Sequence, residues 1–440
     1  MRGVVLGWWP LRGLSGAGKG TRRHVQNRLC PTPTTRTSFS DALRRPSGNH
    51  LICRRRFAIS STTAKEDGAS TTSSCDETSG MSKKNRILLV DGNALVYRAY
   101  WGYHYIGLNN AGGGQHGPGI EKEPGSPEVV DTSSLFGFLR MLLVLLEIRP
   151  VPKYVSIVFD SRGKTFRHQI YEEYKNNRQP TPDDLREEVF PRVKELVRAM
   201  QLNMIEVPGY EADDVIGSIC RSALDQRAAC LDAKDYCQID LATPDKDFFQ
   251  LLGPEVRMLR PQKKNRESSV NGIAYDVYSE RTFAEDFGGL SPQKFIDIQA
   301  LAGDSADNVP GVRGIGPKTA VKLLLEYENL QSIIENASSI KGKVARNALT
   351  SEEGVSLANL SRRLVELDCT IPDDVLFQDD LERDLLFARP SDGGQELLNL
   401  FEEYEFKTLV PRVEALWSEI DASGVARDGE AALSSGESSV

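Results

Sequence analysis

The sequence predicts an α/β protein: a mostly parallel sheet with helices on both faces, followed by a helical subdomain. Three observations carry that expectation. Strand-like apolar runs such as Ile87-Leu88-Leu89-Val90 and Val155-Ser156-Ile157-Val158-Phe159 alternate with helix-length segments, as repeated strand–helix–strand units do. From about residue 290 the strand signal fades and helical patterns dominate. Acidic residues stand just past the ends of the apolar runs, and open α/β sheets bind ligands in the crevice outside those carboxyl ends.

The elements follow in order. Residues 1–63 hold eleven arginines, many Ser and Thr, and one acid, Asp41, which is the composition of an organellar transit peptide. Arg54-Arg55-Arg56-Phe57-Ala58-Ile59-Ser60-Ser61 resembles a mitochondrial processing site cut after Phe57. Mitochondrial and plastid leaders share these biases, so both destinations stay open. Gly13-Leu14-Ser15-Gly16-Ala17-Gly18-Lys19-Gly20-Thr21 looks like a phosphate loop, yet it lacks a preceding strand and a following domain and is not expected to bind nucleotide. Residues 1–80 are therefore read as leader and disordered linker, with Met81 an alternative start. Residues 133–147 read as a buried helix capped by Ser or Thr, and 183–201 and 211–228 as further helices. Residues 103–131, rich in Gly and Pro, are expected to form a surface loop. The resulting domains are 81–288 and 289–413, with an Ala/Ser/Gly/Glu-rich, disordered tail at 414–440.

Composition narrows the chemistry. No apolar run is long enough to span a membrane. The seven cysteines are scattered without a Cys-x-x-Cys pair, which argues against a zinc ribbon or a disulfide framework. Beyond residue 80 the histidines are His104, His116 and His168, a poor basis for histidine-centred catalysis. The net charge of −8 is unevenly spread: residues 1–80 hold 13 basic and 5 acidic side chains, and the remainder 41 and 57, a balance of −16. A body this acidic can bind nucleic acid only through local basic patches.

The acids form five clusters. Asp91 and Asp160 follow the first two apolar runs, and Leu241-Ala242-Thr243-Pro244 leads into Asp245-Lys246-Asp247. Glu211, Asp213 and Asp214 open a helix after Pro208-Gly209, and Gly303-Asp304-Ser305-Ala306-Asp307-Asn308 comes later. One acid at such a place is an ordinary cap or a solvated group. Five clusters exceed what capping needs, and carboxylates brought together repel unless cations sit between them. Hard oxygen ligands suit Mg²⁺ or Mn²⁺. On a helix Glu211 and Asp214 share a face, with Asp213 turned aside. In extended geometry Asp245 and Asp247 point to one side.

Two segments suit a polyanion. Tyr171-Glu172-Glu173-Tyr174-Lys175-Asn176-Asn177-Arg178 places Tyr171, Tyr174, Lys175 and Arg178 along one helical face, either an ordinary amphipathic face or a phosphate-binding one. Gly311-Val312-Arg313-Gly314-Ile315-Gly316-Pro317-Lys318-Thr319-Ala320 is a glycine-rich turn whose Pro317 begins a helix well, and whose amides suit a phosphate.

Together Leu89-Val90-Asp91-Gly92-Asn93-Ala94, Val158-Phe159-Asp160, Lys164-Thr165-Phe166-Arg167, Glu211-Ala212-Asp213-Asp214-Val215-Ile216-Gly217 and Gly303-Asp304-Ser305-Ala306-Asp307-Asn308-Val309-Pro310-Gly311 resemble one family. It is the 5′→3′ exonuclease domain of bacterial DNA polymerase I, related to the flap endonucleases. The match runs in order from about 85 to about 385. The resemblance implies a PIN-like (resolvase-like) nuclease fold and a helix-hairpin-helix subdomain that grips duplex backbone without reading sequence. It implies two divalent ions, Mg²⁺ or Mn²⁺, held by Asp91, Asp160, Glu211, Asp213, Asp214, Asp245, Asp247, Asp304 and Asp307. Asp91, Asp160 and Asp213 would be catalytic, with Lys175 and Arg178 in an arch that gates the 5′ end. DNA contacts would come from Arg167, Tyr171, Tyr174, Lys175, Arg178, Gly311, Gly314, Gly316, Lys318 and Thr319, with tyrosine stacking on an unpaired base.

One departure is Pro244, where the family usually has Gly; both acids beyond it remain. The expected protein is a free-standing organellar nuclease, of the kind found in plants, acting on 5′ ends, flaps and RNA primers beside an organellar DNA polymerase. Its rivals are a PIN-like ribonuclease and a catalytically silent DNA-junction-binding protein.

Overall fold

The computed structural model describes residues 85–110, 132–229, 238–262 and 274–424. The leader, its processing site and its phosphate-loop-like turn, residues 111–131 of the expected surface loop, and the tail beyond 424 lie outside the described residues.

Among the described residues one sheet is formed by β1 (Arg86–Asp91), β2 (Tyr154–Val158), β3 (Asn203–Ile205), β4 (Gln238–Ala242), β5 (Val256–Pro261) and β6 (Tyr275–Tyr278). Its order is β3-β2-β1-β4-β5-β6, parallel throughout except for the antiparallel β5–β6 edge. The chain steps from β1 to β2 to β3 in one direction, then returns to place β4 on the other side of β1. That reversal opens a crevice at the carboxyl ends of β1 and β4, where Val90 lies opposite Ala242.

Strict alternation along β1 explains why both faces of the sheet are covered. Ile87 and Leu89 pack with Val215, Ile216 and Ile219, whereas Leu88 and Val90 pack with Phe138, Leu142, Val193 and Val197. The helices supplying those partners follow α1 (Gly92–Asn110): α2 (Ser133–Leu146), α3 (Phe166–Ile170), α4 (Phe190–Ala199) and α5 (Ala212–Ala229). The PIN-like α/β expectation holds.

Three local expectations change. Helix α1 continues to Asn110, so the first part of the expected 103–131 loop is helical. The helix expected at 183–201 contains a π-helical turn, Leu185–Val189, just before Pro191, whose missing N–H interrupts the regular ladder. Residues 171–178 are successive turns, not a helix. Lys175 has φ of 58° and its N–H donates to the Asp307 carbonyl at 3.0 Å, away from the helical i−4 acceptor.

A helical subdomain follows β6: α6 (Glu280–Asp286), α7 (Phe295–Ala302), α8 (Pro317–Tyr327), α9 (Leu330–Glu335), α10 (Lys343–Leu349) and α11 (Glu352–Val365). The chain then returns through α12 (Asp373–Leu376) and α13 (Leu381–Asp384) to the start of β2, beyond the reach of β3, where the Val155 N–H donates to the Leu385 carbonyl at 2.7 Å. Helices α14 (Gln395–Glu403) and α15 (Val410–Ala422) bury Leu397, Phe401, Val413, Leu416, Trp417 and Ile420 in the same apolar layer as α2 and α4. The boundary expected at 413/414 is therefore displaced. The i, i+3, i+4, i+7 spacing of Val413, Leu416, Trp417 and Ile420 makes a core helix where overall composition suggested disorder. No helix among the described residues is long and apolar enough to cross a membrane.

Candidate functional site

The crevice at the sheet reversal gathers acids from four places. Asp91 ends β1, and its carboxylate accepts from the Ala94 N–H at 2.9 Å and the Thr243 hydroxyl at 2.9 Å. Asp160, just beyond β2, accepts from the Ala212 N–H and the Asn93 side-chain amide, each at 2.8 Å. The Asn93 carbonyl oxygen accepts in turn from the Asp160 N–H at 3.1 Å, so Asn93 stitches β1 to β2 beside both acids. Asp213 lies in the first turn of α5, and no hydrogen bond to its carboxylate is made among the described residues. Asp245 caps a short 3₁₀ helix, Lys246–Leu251, by accepting from the Asp247 N–H at 3.0 Å. That turn replaces the extended geometry expected for Asp245 and Asp247.

These acids raise one another. Burial lifts Asp91 to about 7, with Asp160 and Asp245 adding repulsion against the hydrogen bonds that favour its charge. Burial and the neighbouring Asp245, Asp91 and Asp160 hold Asp213 well above the usual carboxylate range. Burial and Asp245 and Asp307 do the same to Asp247, whose carboxylate accepts from the Gln299 side chain at 2.6 Å.

A second group of acids already faces the chain's own cations. Glu211 accepts from Lys175 Nζ at 2.8 Å and from the Tyr174 hydroxyl at 3.2 Å. Asp307 pairs with Arg178 and lies 3.8 Å from Lys175 Nζ. Asp304 pairs with Lys246 Nζ at 2.7 Å. Burial would raise Glu211 and Asp307, but Lys175, with Arg167 for Glu211 and Arg178 for Asp307, holds both below the usual range. Among the described residues no three acid, His or Cys side chains close into a ready metal-ligand set. The predicted convergence is thus a crevice of two halves: Asp91, Asp160, Asp213 and Asp245, which make no ion pair among the described residues, and Glu211, Asp304 and Asp307, which each make one.

Three predicted site residues take other roles. Asp214 is fully buried, and both oxygens bind Arg167, at 2.6 and 2.7 Å, and accept from the Asp368 N–H at 2.9 Å and the Glu211 N–H at 3.3 Å. With its acceptors used, it has none left for a metal. Arg167 is 1% exposed and out of reach of DNA. Glu211 lies one residue before α5 and so is not on a helix face, but it and Asp214 both reach Arg167, which lies 3.7 Å from Glu211 while binding Asp214. Tyr174 is 4% exposed with its hydroxyl on Glu211, so its ring offers no stacking surface. Tyr171 remains half-buried, and Arg178 is exposed.

The glycine-rich turn sits where α7 hands over to α8. Gly303 and Gly311, with φ of 72° and 63°, lie back to back: a Cβ on Gly311 would meet the Gly303 nitrogen at 2.3 Å. The Asp304–Val309 bridge closes the acid loop between them. Beyond it Gly314, Gly316, Lys318 and Thr319 are exposed, with Gly316 at the N-terminus of α8.

Residues 86–288 match the family described as 5′–3′ exonuclease, N-terminal resolvase-like domain, and residues 290–384 match 5′–3′ exonuclease, C-terminal SAM fold. The chain belongs to the 5′–3′ exonuclease family. It is 34% identical over 351 residues to DNA polymerase I of Rhizobium leguminosarum, covering 78% of this chain and 30% of that protein. DNA polymerase I of Synechocystis is 32% identical over 333 residues, covering 76% and 30%. The chain thus spans about a third of the length of the curated relatives it matches. Among solved structures it resembles the T5 D15 protein co-crystallised with metal ions (20% identity, TM-score 0.47, 72% of this chain and 99% of that one). It also resembles the catalytic core of Rad2 in complex with a DNA substrate (16% identity, TM-score 0.42, 75% and 92%).

Several contributors to this family site were missed in sequence. Asn93, Thr243 and Lys246 each stand within two residues of a chosen acid, at a strand or turn end, and that adjacency was their signal. Gln299 is remote in sequence and carried none.

Proposed function

We propose that this protein is a divalent-metal-dependent 5′→3′ exonuclease and 5′-flap endonuclease that hydrolyses DNA phosphodiesters. The observation that carries the reading is the half-crevice that gathers Asp91, Asp160, Asp213 and Asp245, in which burial and mutual repulsion raise Asp91 and Asp213 and none of the four makes an ion pair among the described residues. The donor set is all hard oxygen and fits Mg²⁺, with Mn²⁺ a substitute. Asp91, Asp160, Asp213 and Asp245 would hold one ion; Asp247, Asp304, Asp307 and Glu211 border a second position. When bound, the ions supply an activated water and charge stabilisation for in-line displacement at phosphorus.

The chain's own groups do the rest. Asn93 and the Ala212 N–H orient Asp160, and Thr243 orients Asp91. Lys175 and Arg178 flank the acids and are placed to hold the scissile phosphate, Arg178 through a planar fork. The exposed positions Arg313, Gly314, Gly316, Lys318 and Thr319 would hold duplex backbone, with Lys318 adding charge, whereas Gly311 is buried against Gly303 and shapes the turn without touching DNA. Tyr171 is the remaining candidate for stacking on an unpaired base.

The biological setting follows from the leader: work in mitochondria or plastids, removing RNA primers and 5′ flaps beside an organellar DNA polymerase. Imaging the leader fused to a fluorescent protein tests the destination, and diffuse cytosolic signal would overturn it. A nuclease assay tests the activity by comparing a 5′-flap duplex with single-stranded RNA, with and without Mg²⁺. Cleavage of the flap alone, only with Mg²⁺, is expected. Preference for RNA would favour a PIN-like ribonuclease, and binding without cleavage a silent junction binder.

A further inference from the structure

Two loops of the helical subdomain, each running into the first turns of the following helix (α8 and α10), present cations and no acid. Residues 311–322 carry Arg313, Lys318 and Lys322; residues 338–347 carry Lys341, Lys343 and Arg346. All but Arg346 are exposed, and none of the exposed five makes an ion pair among the described residues. Elsewhere on this acidic body exposed arginines are commonly paired, as Arg186 with Asp183 and Arg221 with Asp225. Surfaces built only for solubility intersperse both signs. This one does not.

The two loops abut. Gly314 has φ of 83°, and a Cβ added there would lie 2.6 Å from Val344 Cγ1 and 3.5 Å from the Ala345 nitrogen. The tip of the second loop therefore rests on the tip of the first, one residue from Arg313 on one side and from Lys343 on the other. Val344, at the seam, is 56% exposed although apolar. Lys341, Gly342, Lys343 and Val344 form an unbroken exposed stretch.

We infer that residues 341–344 are a second backbone-gripping loop, so that the subdomain holds duplex DNA through two adjacent loops. This rests on the nuclease reading above, which places only the first loop on DNA. A duplex carries one charge per about 1.7 Å of axis, so a patch of several cations meets several phosphates at once. Lysine offers a point charge without bidentate base recognition, so the contact is independent of sequence. Val344 suits the apolar face of a deoxyribose between two phosphates.

The test uses the full chain and a 5′-flap duplex, with Kd measured across a salt series. Lys341→Gln/Lys343→Gln should weaken duplex binding about tenfold and make the log Kd–log salt slope shallower by about 1.8, or 0.9 per lost phosphate contact. Lys341→Arg/Lys343→Arg should restore both. Single-stranded DNA of the flap sequence should lose much less affinity. Wild-type affinity and slope in the Gln variant, or an equal loss on single strands, would overturn the inference. Mg²⁺-dependent cleavage by the wild type is read separately. Its absence, with loop-dependent duplex binding intact, would sink the nuclease reading and leave the second loop standing.

Discussion

Arg167 closes on Asp214 through two hydrogen bonds of 2.6 and 2.7 Å, with both side chains buried. The remaining Arg167 donors reach the carbonyls of Leu364 and Glu366, each at 2.9 Å, so one guanidinium ties α3, α5 and the end of α11 together beneath the acid crevice. Asp214 also accepts from the Glu211 N–H, which places the clamp directly under the turn that carries Asp213. The pair positions the acids and does not join them.

Breaking the clamp should therefore cost stability first. Arg167→Ala leaves an uncompensated buried carboxylate, and about 3–5 kcal/mol is expected, read as a lower denaturant midpoint. Asp214→Asn keeps shape and loses charge. Where the variant remains folded, the Mg²⁺ concentration giving half-maximal cleavage should move little. A large rise in that concentration would return Asp214 to the ligand set.

Asp160→Ala and Asp213→Ala should abolish cleavage while binding of a flap duplex largely survives. Removing the Asp213 carboxylate also relieves mutual repulsion, so Asp213→Ala should unfold at or above the wild-type temperature in chelator. Asp160→Ala loses the hydrogen bonds from the Ala212 N–H and Asn93 and should not gain in the same way. Near-normal turnover in either would refute the assignment.

Much of this was legible because strands and helix ends declare themselves locally. The unbroken apolar run Ile87 to Val90, followed at once by Asp91, announced a strand buried on both faces and the position of the acid. What stayed hidden depends on long-range contact. Arg167 and Asp214 look like surface or ligand residues until a chain segment 150 residues later, Leu364 to Asp368, is laid over them. The turns at 171–178 had helical spacing, and the capture of the Lys175 N–H by Asp307 overrode it. Helix α15 was hidden by composition, since its buried face is only one side of a Ser- and Glu-containing segment.

Gly311→Ala should be strongly destabilising. The added Cβ meets backbone atoms of Gly303 and Ala302 at 2.3–2.7 Å, and φ of 63° adds strain of its own. Overpacking at a site with no side chain to yield costs about 1–3 kcal/mol or more. The loop carrying Asp304 and Asp307 lies between these glycines, so loss of activity should accompany the fall in Tm. Gly316→Ala, where a Cβ meets nothing within 4 Å, should be tolerated. Equal Tm values for the two variants would contradict the packing argument.

The final prediction couples pH to metal. Asp91 is raised by burial to about 7, and Asp213, Asp245 and Asp247 are raised in the same direction. In this set the folded state binds more protons than the unfolded chain above the ordinary Asp value of about 3.9. Stability of the metal-free protein should therefore fall as pH rises from about 4 through 7. Glu211 and Asp307 are shifted the other way, so their contribution is present above the ordinary range and is lost only in stronger acid. In chelator, Tm should be higher near pH 5 than near pH 8. Millimolar Mg²⁺ should raise Tm more at pH 8, where the acids are already ionised and the metal displaces no protons. Equal Mg²⁺ stabilisation at both pH values, or none at pH 8, would show that Asp91, Asp213 and Asp245 do not share a cation.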